Sequence, residues 1–84
     1  MNKRLVMKNP HGNIVSCILS TEIDYKEQLH QVFALSTGQG ISAELCTDTV
    51  VIRDVFHGET IAEFQVLSLE ETTEPVSYDL TPAE

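Results

Sequence analysis

The chain has 84 residues, in which 13 acidic side chains outnumber five basic ones, so its formal net charge is −8 at neutral pH. A chain of this length builds one hydrophobic core, which excludes a protein of two folded domains. An acidic surface repels nucleic acid and anionic membranes and attracts basic proteins, so the charge argues against direct nucleic-acid binding and against a membrane-surface protein.

No segment is apolar enough to cross a membrane or to direct secretion. The longest apolar run, residues 32–35, is far shorter than the roughly 20 residues that span a bilayer. Lys3 and Arg4 resemble the basic start of a signal peptide, but only residues 5–7 follow before Lys8 ends the apolar stretch. We therefore expect a cytoplasmic protein.

The N-terminal part of the chain predicts two strands joined by a tight turn. Residues 3–8 alternate, with Leu5 and Met7 on one side, and we predict that they form an edge strand. The sequence Asn-Pro-His-Gly at residues 9–12 places each residue type at a turn position that it favours. Residues 13–19 are largely apolar on both faces, which indicates a strand inside the sheet or covered on both sides.

A helix is predicted next. Its apolar stripe consists of Tyr25, Leu29, Val32 and Phe33. The helix starts at Asp24, where Glu27 completes a capping box three residues later, or at Thr21, which has Asp24 in the same relation. Gly38 is the predicted stop, since glycine adopts the left-handed backbone of a C-terminal cap. At about three turns the helix is too short to be stable alone in water, so its stripe must pack on the sheet.

Three further strands are predicted after the helix. Residues 41–46 alternate between apolar and polar side chains and are followed by a turn at residues 47–48. Residues 49–69 form the most apolar segment and break at residues 57–59, a pattern typical of a β-hairpin with Phe56 in the core. We therefore predict an α+β fold of two layers. One antiparallel sheet of four to five strands, in the chain order β-β-α-β-β-β, carries a single helix on one face.

Residues 70–84 differ in composition from the rest of the chain. They carry five acidic side chains and no basic one, so they contribute −5 of the net −8, and they contain two prolines. Because little apolar surface offsets the entropy of ordering this backbone, we predict a flexible acidic tail after a single α+β domain at residues 1–69. Val76, Tyr78 and Leu80 alternate within the tail. Such a segment can dock as an added strand or fold onto a basic groove, with Tyr78 as its anchoring aromatic.

Structural explanations outweigh every candidate catalytic, cofactor or metal site. Cys17 and Cys46, the only cysteines, are 29 positions apart and are predicted to be buried thiols rather than a disulfide. Ser16 and Cys17 with His11 lack a third residue to orient them as a nucleophile and base. His11 and His57 each precede a glycine in a predicted turn and could meet at a metal, but histidine is common in turns because it tolerates unusual backbone angles. We predict no enzyme activity, no cofactor and no metal.

The leading interpretation is a non-enzymatic module that binds and inhibits a basic macromolecular partner, such as a nuclease or a DNA-binding protein. The predicted partner-binding residues are acids at the helix start and in the tail, with one aromatic: Glu22, Asp24, Glu27, Glu70, Glu71, Glu74 and Tyr78. The first alternative is an assembly protein that forms a homodimer through an exposed edge, for which residues 3–8 and 50–52 are candidates. A metal- or ligand-binding domain built on the two His-Gly turns is the second alternative.

Overall fold

Six strands and one helix are present in the computed structural model, which describes residues 1–37 and 40–83. In chain order they are β1 (Asn2–Lys8), β2 (Ile14–Ser20), α1 (Tyr25–Thr37), β3 (Ile41–Cys46), β4 (Thr49–Asp54), β5 (Thr60–Thr72) and β6 (Ser77–Pro82). The predicted helix stop at Gly38 lies outside the described residues.

The strands form one antiparallel sheet in the spatial order β3-β4-β5-β1-β2-β6. β5, with 13 residues, is the longest strand of the described chain. Its residues 60–65 pair with β4 and its residues 65–72 pair with β1, so the β3–β4 hairpin is displaced along β5 relative to the β1–β2 hairpin. The helix lies on one face of the sheet, where it contacts β2, β3 and β6.

The α+β class, the antiparallel sheet and the single helix are confirmed for the described residues, but the strand count and order differ from the prediction. The sheet has six strands rather than four to five, because residues 77–82 add β6 beside β2. β1, predicted as an edge strand, lies between β5 and β2. Leu5 and Met7 of β1 are buried in the core, so Arg4 and Lys8, which alternate with them, project from the opposite face of the sheet.

The chain beyond residue 69, where the sequence predicts the start of a tail, continues the sheet. β5 extends to Thr72, and β6 follows at Ser77–Pro82. Tyr78 and Leu80 of β6 pack against the core. The apolar surface that this segment lacks by itself is supplied by α1 and β2, which lie far from it in the sequence.

The core lies between the helix and one face of the sheet. Leu29, Val32 and Phe33 of the predicted stripe are buried, which confirms the helical face. The sheet contributes Leu5, Met7, Cys17, Leu19, Ile41, Ala43, Val50 and Ile52. The ring centroids of Phe33 and Phe64 lie 4.9 Å apart. The expectation that Phe56 joins this core is wrong: its side chain is 77% exposed, because β4 ends before it.

Hydrogen bonds confirm the first turn and the start of the helix. In the turn, Oδ1 of Asn9 accepts hydrogen bonds from the N–H groups of His11 at 3.0 Å and Asn13 at 2.9 Å. At the helix, Oδ1 of Asp24 accepts a hydrogen bond from the N–H of Lys26 at 3.2 Å, the interaction expected of an N-cap. Asp24 rather than Thr21 is therefore the N-cap, and the helix begins at Tyr25.

Gln28 is a buried polar residue that joins the helix to two strands. Its Oε1 accepts hydrogen bonds from the Ser20 N–H at 2.6 Å and the Tyr78 hydroxyl at 3.0 Å. Its Nε2 donates to the carbonyl oxygens of Ser20 and Ile23, both at 2.9 Å. A buried amide with all its partners in place fixes the position of α1 relative to β2 and β6.

Candidate protein-binding groove

A groove lies between α1 and β3. It has a volume of about 470 Å³ and is lined by Asp24, Lys26, Glu27, His30, Gln31, Ser42 and Ala43. Two of the acids that the sequence predicts for partner binding, Asp24 and Glu27, therefore share one concave surface. We refer to this surface as the α1–β3 groove.

The helical period explains why these acids face β3. Asp24 precedes Glu27 by three residues and Gln31 follows it by four, so the three side chains follow one face of the helix. All three residues are exposed, because the buried stripe that contains Leu29 and Phe33 is turned toward the sheet. The cap that starts the helix also places the Asp24 carboxylate at one end of the groove.

The β3 strand directs backbone groups into the groove. One residue beyond the β3–β4 ladder, the Val55 N–H donates to the Gly40 carbonyl at 3.2 Å. Because bonded and non-bonded positions alternate in an antiparallel ladder, every second residue of β3, beginning with Ile41, points its N–H and C=O away from β4. A contact from the helix supports this direction, since Nδ1 of His30 lies 3.0 Å from the Ile41 carbonyl oxygen. Ala43, the next such residue, has no described strand beside its outward groups, but it is only 1% exposed, so these groups are covered.

The groove is acidic on balance. Asp24 and Glu27 carry negative charge, and Lys26 is the one basic residue among the described residues that line it. Side chains three residues apart on a helix lie about 5–6 Å apart at Cβ, so one cationic group in the groove can contact both acids. Because salt screens charges that are farther apart than about 8 Å, these two acids act on a bound group more strongly than distant acids do.

Three of the predicted partner-binding acids lie outside the groove, beside basic residues of β1. Glu70 is opposite Arg4 in the β1–β5 register, and Glu71 is opposite Lys3. Arg4 also forms an ion pair with Glu74. The negative charge of these acids is therefore partly compensated within the chain, whereas the two groove acids face the single positive charge of Lys26.

The two remaining predicted residues are also outside the groove. Glu22 lies in the loop between β2 and α1, where its N–H donates to Oγ of Ser20 at 3.1 Å. Tyr78 is half-buried, and its hydroxyl donates to Gln28. Tyr78 thus makes a contact within the molecule rather than presenting a free aromatic side chain.

Five residues that line the groove are not among the predicted partner-binding residues: Lys26, His30, Gln31, Ser42 and Ala43. His30 and Gln31 follow Glu27 by three and four residues, and this helical spacing places them on the same side as that acid. Ser42 lies in a strand, so no helical spacing relates it to the predicted acids. Its position in the groove depends on β3 being an edge strand, and the strand order decides that.

The two His-Gly turns have separate local partners. Nδ1 of His57 lies 3.0 Å from Oδ2 of Asp54. The side-chain hydrogen bond from His57, followed by the backbone N–H of Phe56, lowers the pKa of Asp54. In the other turn, the His11 N–H donates to Asn9. Among the described residues, no group of three or more His, Cys, Asp and Glu side chains is placed to hold a metal ion.

The two cysteines are free and lie in different environments. Cys17 is buried in the core, and burial raises the pKa of its thiol to about 11. Cys46 is exposed, so the prediction of two buried thiols is wrong for this residue. The reason is its place as the last residue of β3, on the face of the sheet that the helix does not cover.

No helix in residues 1–37 and 40–83 combines the length and the apolar character needed to cross a membrane. Comparison with protein-family models finds no matching family, and comparisons with curated proteins and with solved structures likewise find no match.

Proposed function

We propose that this protein is a small, acidic, non-enzymatic module that binds a basic macromolecular partner and inhibits it. The observation that carries the proposal is the α1–β3 groove, where Asp24 and Glu27 line one concave surface. Charge attracts a partner over distance, and the carboxylates bond directly to lysine or arginine side chains at short range.

The net charge supports a basic partner. At −8, the molecule attracts a cationic protein surface, and complementary charge raises the association rate while it disfavours acidic competitors. Nucleases and DNA-binding proteins have cationic surfaces because they bind phosphates. A module that occupies such a surface excludes the nucleic acid, and inhibition follows from that competition.

The test compares two pairs of substitutions that each remove two negative charges. Asp24→Asn with Glu27→Gln changes the groove, and Glu59→Gln with Glu63→Gln changes exposed acids outside it. The partner is identified by affinity capture with the wild-type chain, and its dissociation constant is measured for each variant. We expect roughly tenfold weaker binding for the groove pair and less than about threefold for the control pair.

Two results would overturn this proposal. Equal losses for both pairs would mean that the groove has no special part in binding. A dissociation constant that stays unchanged between about 0.05 M and 0.5 M salt would mean that charge does not drive association.

A homodimer formed through an edge strand is the alternative, for which β3 and β6, the two outer strands of the described sheet, are the candidates. The strands that the sequence suggests for this role do not qualify, because residues 3–8 lie in the central β1 and residues 50–52 lie in β4, which is paired on both sides. Sedimentation at about 0.5 M salt, where charge repulsion is screened, separates the two functions. A monomer at every concentration excludes the dimer.

A further inference from the structure

A second concave surface lies at the end of the sheet where β5 begins, and its volume is about 240 Å³. Residues 9–11, in the turn between β1 and β2, form part of its rim. We refer to this surface as the β5 pocket. Apolar side chains from four elements form its interior: Phe33 of α1, Ile52 of β4, Ala62 and Phe64 of β5, and Leu80 of β6.

The β5 pocket exists because β5 extends beyond the end of β1. Lys8, the last residue of β1, lies opposite Gln65, so residues 60–64 of β5 pair with β4 and with no other described strand. The turn at residues 9–12 follows at this point in place of further strand. The register between β5 and β4 also shifts here, which leaves Ile61 without a partner in β4. No described strand therefore fills the space beside the first residues of β5.

The β5 pocket is open to solvent at its rim. Ile61 lines it and is 52% exposed, and residues 10–11 are exposed as well. Phe64 and Leu80 are half-buried, so a molecule that enters the pocket can contact both side chains. Ile52 is 2% exposed and lies at the inner end. The pocket is thus an accessible cavity with an apolar interior.

We propose that the β5 pocket binds a small, neutral aromatic molecule of one or two rings. Its volume sets the size of the ligand. A cavity of about 150 Å³ lined by Leu, Ile and Phe accommodates benzene, and pockets for drug-sized ligands measure about 300–1,000 Å³. At about 240 Å³ the β5 pocket lies between these values, so it is too small for a nucleotide. The inference is independent of the proposed function, because the described residues of the pocket and of the α1–β3 groove do not overlap.

The rings that line the pocket favour an aromatic ligand. The centroids of the Phe33 and Phe64 rings lie 4.9 Å apart, and their planes are inclined by 59°. A further ring placed beside them can make edge-to-face or offset-stacked contacts, which stabilise aromatic pairs beyond the burial of apolar area. A saturated ring of the same size gains from burial alone.

Charge excludes an ionic ligand. None of the described residues that line the pocket is Asp, Glu, Lys or Arg, so an ion would lose hydration without gaining an ion pair. The net charge of −8 disfavours an anion further. One polar group on the ligand suits the rim. Oδ1 of Asn9 accepts two backbone hydrogen bonds, which leaves Nδ2 to donate, and His11 is the other polar residue that lines the pocket.

Phenol and indole are the probes, and each is titrated into the full chain labelled with ¹⁵N. We expect saturable amide shift changes at residues 9–13 and 60–64, with dissociation constants of about 1 mM or lower. Benzoate should bind at least about tenfold more weakly because it is an anion, and cyclohexanol about threefold more weakly because it lacks an aromatic ring. A titration of phenol and indole without saturation, or equal binding of benzoate or of cyclohexanol, would overturn the inference.

Nuclear Overhauser contacts locate the probe without any change to the protein. We expect contacts between the ring protons of phenol and the methyl groups of Ile61 and Leu80, which line the pocket. Leu67 and Phe56 are exposed apolar residues that do not line it. Contacts with these two residues instead would indicate unspecific binding to apolar surface and would overturn the inference.

The variant Ala62→Leu fills the pocket from β5. We expect it to weaken phenol binding at least about tenfold, whereas Leu67→Ala, on the same strand but outside the pocket, should stay within about twofold of the wild type. A folded Ala62→Leu chain that binds phenol with unchanged affinity would contradict the inference, and the Overhauser contacts decide if this variant does not fold.

The protein captured as the basic partner provides a further test. We expect phenol and this protein to bind at the same time, because the pocket and the groove are separate. If the protein displaces phenol, the pocket receives one of its side chains, and the small-molecule inference fails while the proposed function stands. If only the groove substitutions have no effect on the protein, the proposed function fails and the inference stands.

Discussion

Replacing Gln28 with leucine tests whether a buried amide holds α1 to the sheet. The amide makes four hydrogen bonds, two of them with the backbone of Ser20, one with the Ile23 carbonyl and one with the Tyr78 hydroxyl. Leucine fills a similar volume but cannot bond to these groups, and the site is only 1% exposed. The substitution therefore removes polar contacts between three elements without opening a large cavity.

The magnitude follows from the number and burial of these bonds. Each hydrogen bond contributes about 1 kcal/mol net, and each buried partner left unsatisfied costs about 1–3 kcal/mol. The apolar surface of leucine offsets about 1–2 kcal/mol of this loss. We expect Gln28→Leu to lower the free energy of unfolding by about 2–4 kcal/mol. A chain of this length typically has about 4–12 kcal/mol in total.

Urea unfolding followed by circular dichroism measures this loss, and two variants control it. Tyr78→Phe removes one of the four bonds and should cost about 1 kcal/mol. Gln31→Leu changes an exposed glutamine on the same helix and should stay within about 0.5 kcal/mol of the wild type. A loss below about 1 kcal/mol for Gln28→Leu, or an equal loss for Gln31→Leu, would refute the reasoning.

Three further predictions concern the thiols, one carboxyl group and one turn. At pH of about 8, iodoacetamide should label the exposed Cys46 and spare the buried Cys17, as read by mass spectrometry, because the reagent needs an accessible thiolate and burial raises the pKa of Cys17 to about 11. The same raised pKa means that stability declines as pH rises from 9.0 toward 11, since the unfolded thiol ionises first. His57→Ala should raise the pKa of Asp54, which NMR titration measures. In the wild type, the stabilising contribution of Asp54 is fully present above the pKa that its carboxyl group has in the unfolded chain. It is lost as pH falls through the lower pKa of the folded chain. Gly12→Ala should cost about 1 kcal/mol in urea unfolding, because Gly12 has a φ of +89°, and an unchanged midpoint would contradict this.

The elements that the sequence predicts correctly are those whose signal is local. The stripe that includes Leu29 and Phe33 defines a helix by spacing alone, and Asp24 defines its start by a cap within two residues. β4 and β5 form the expected hairpin, since apolar runs on both sides of a glycine-containing break carry their own pattern. None of these inferences requires knowledge of distant parts of the chain.

The elements that the sequence does not reveal depend on distant partners. β6 has little apolar surface of its own, and it joins the sheet through β2 and through the bond between Tyr78 and Gln28, two residues 50 positions apart. β3 is an outer strand because β5 pairs with β4 and β1, which leaves β3 with β4 alone. The alternation of apolar and polar residues within β3 carries no information about this position. The sequence therefore identifies Asp24 and Glu27 of the candidate site, but it does not reveal that β3 forms the other side of the groove.

The placement of Asp24 and Glu27 determines what their charge can do. Acids spread over a surface attract basic proteins but provide little geometric selection. These two instead line one concave surface, where one lysine or arginine side chain of the proposed partner can reach both carboxylates. The same charges disfavour contact between the grooves of two copies, which each carry a net charge of −8. Neutralising both acids should therefore weaken binding of the proposed partner and, at the same time, increase self-association, which sedimentation measures.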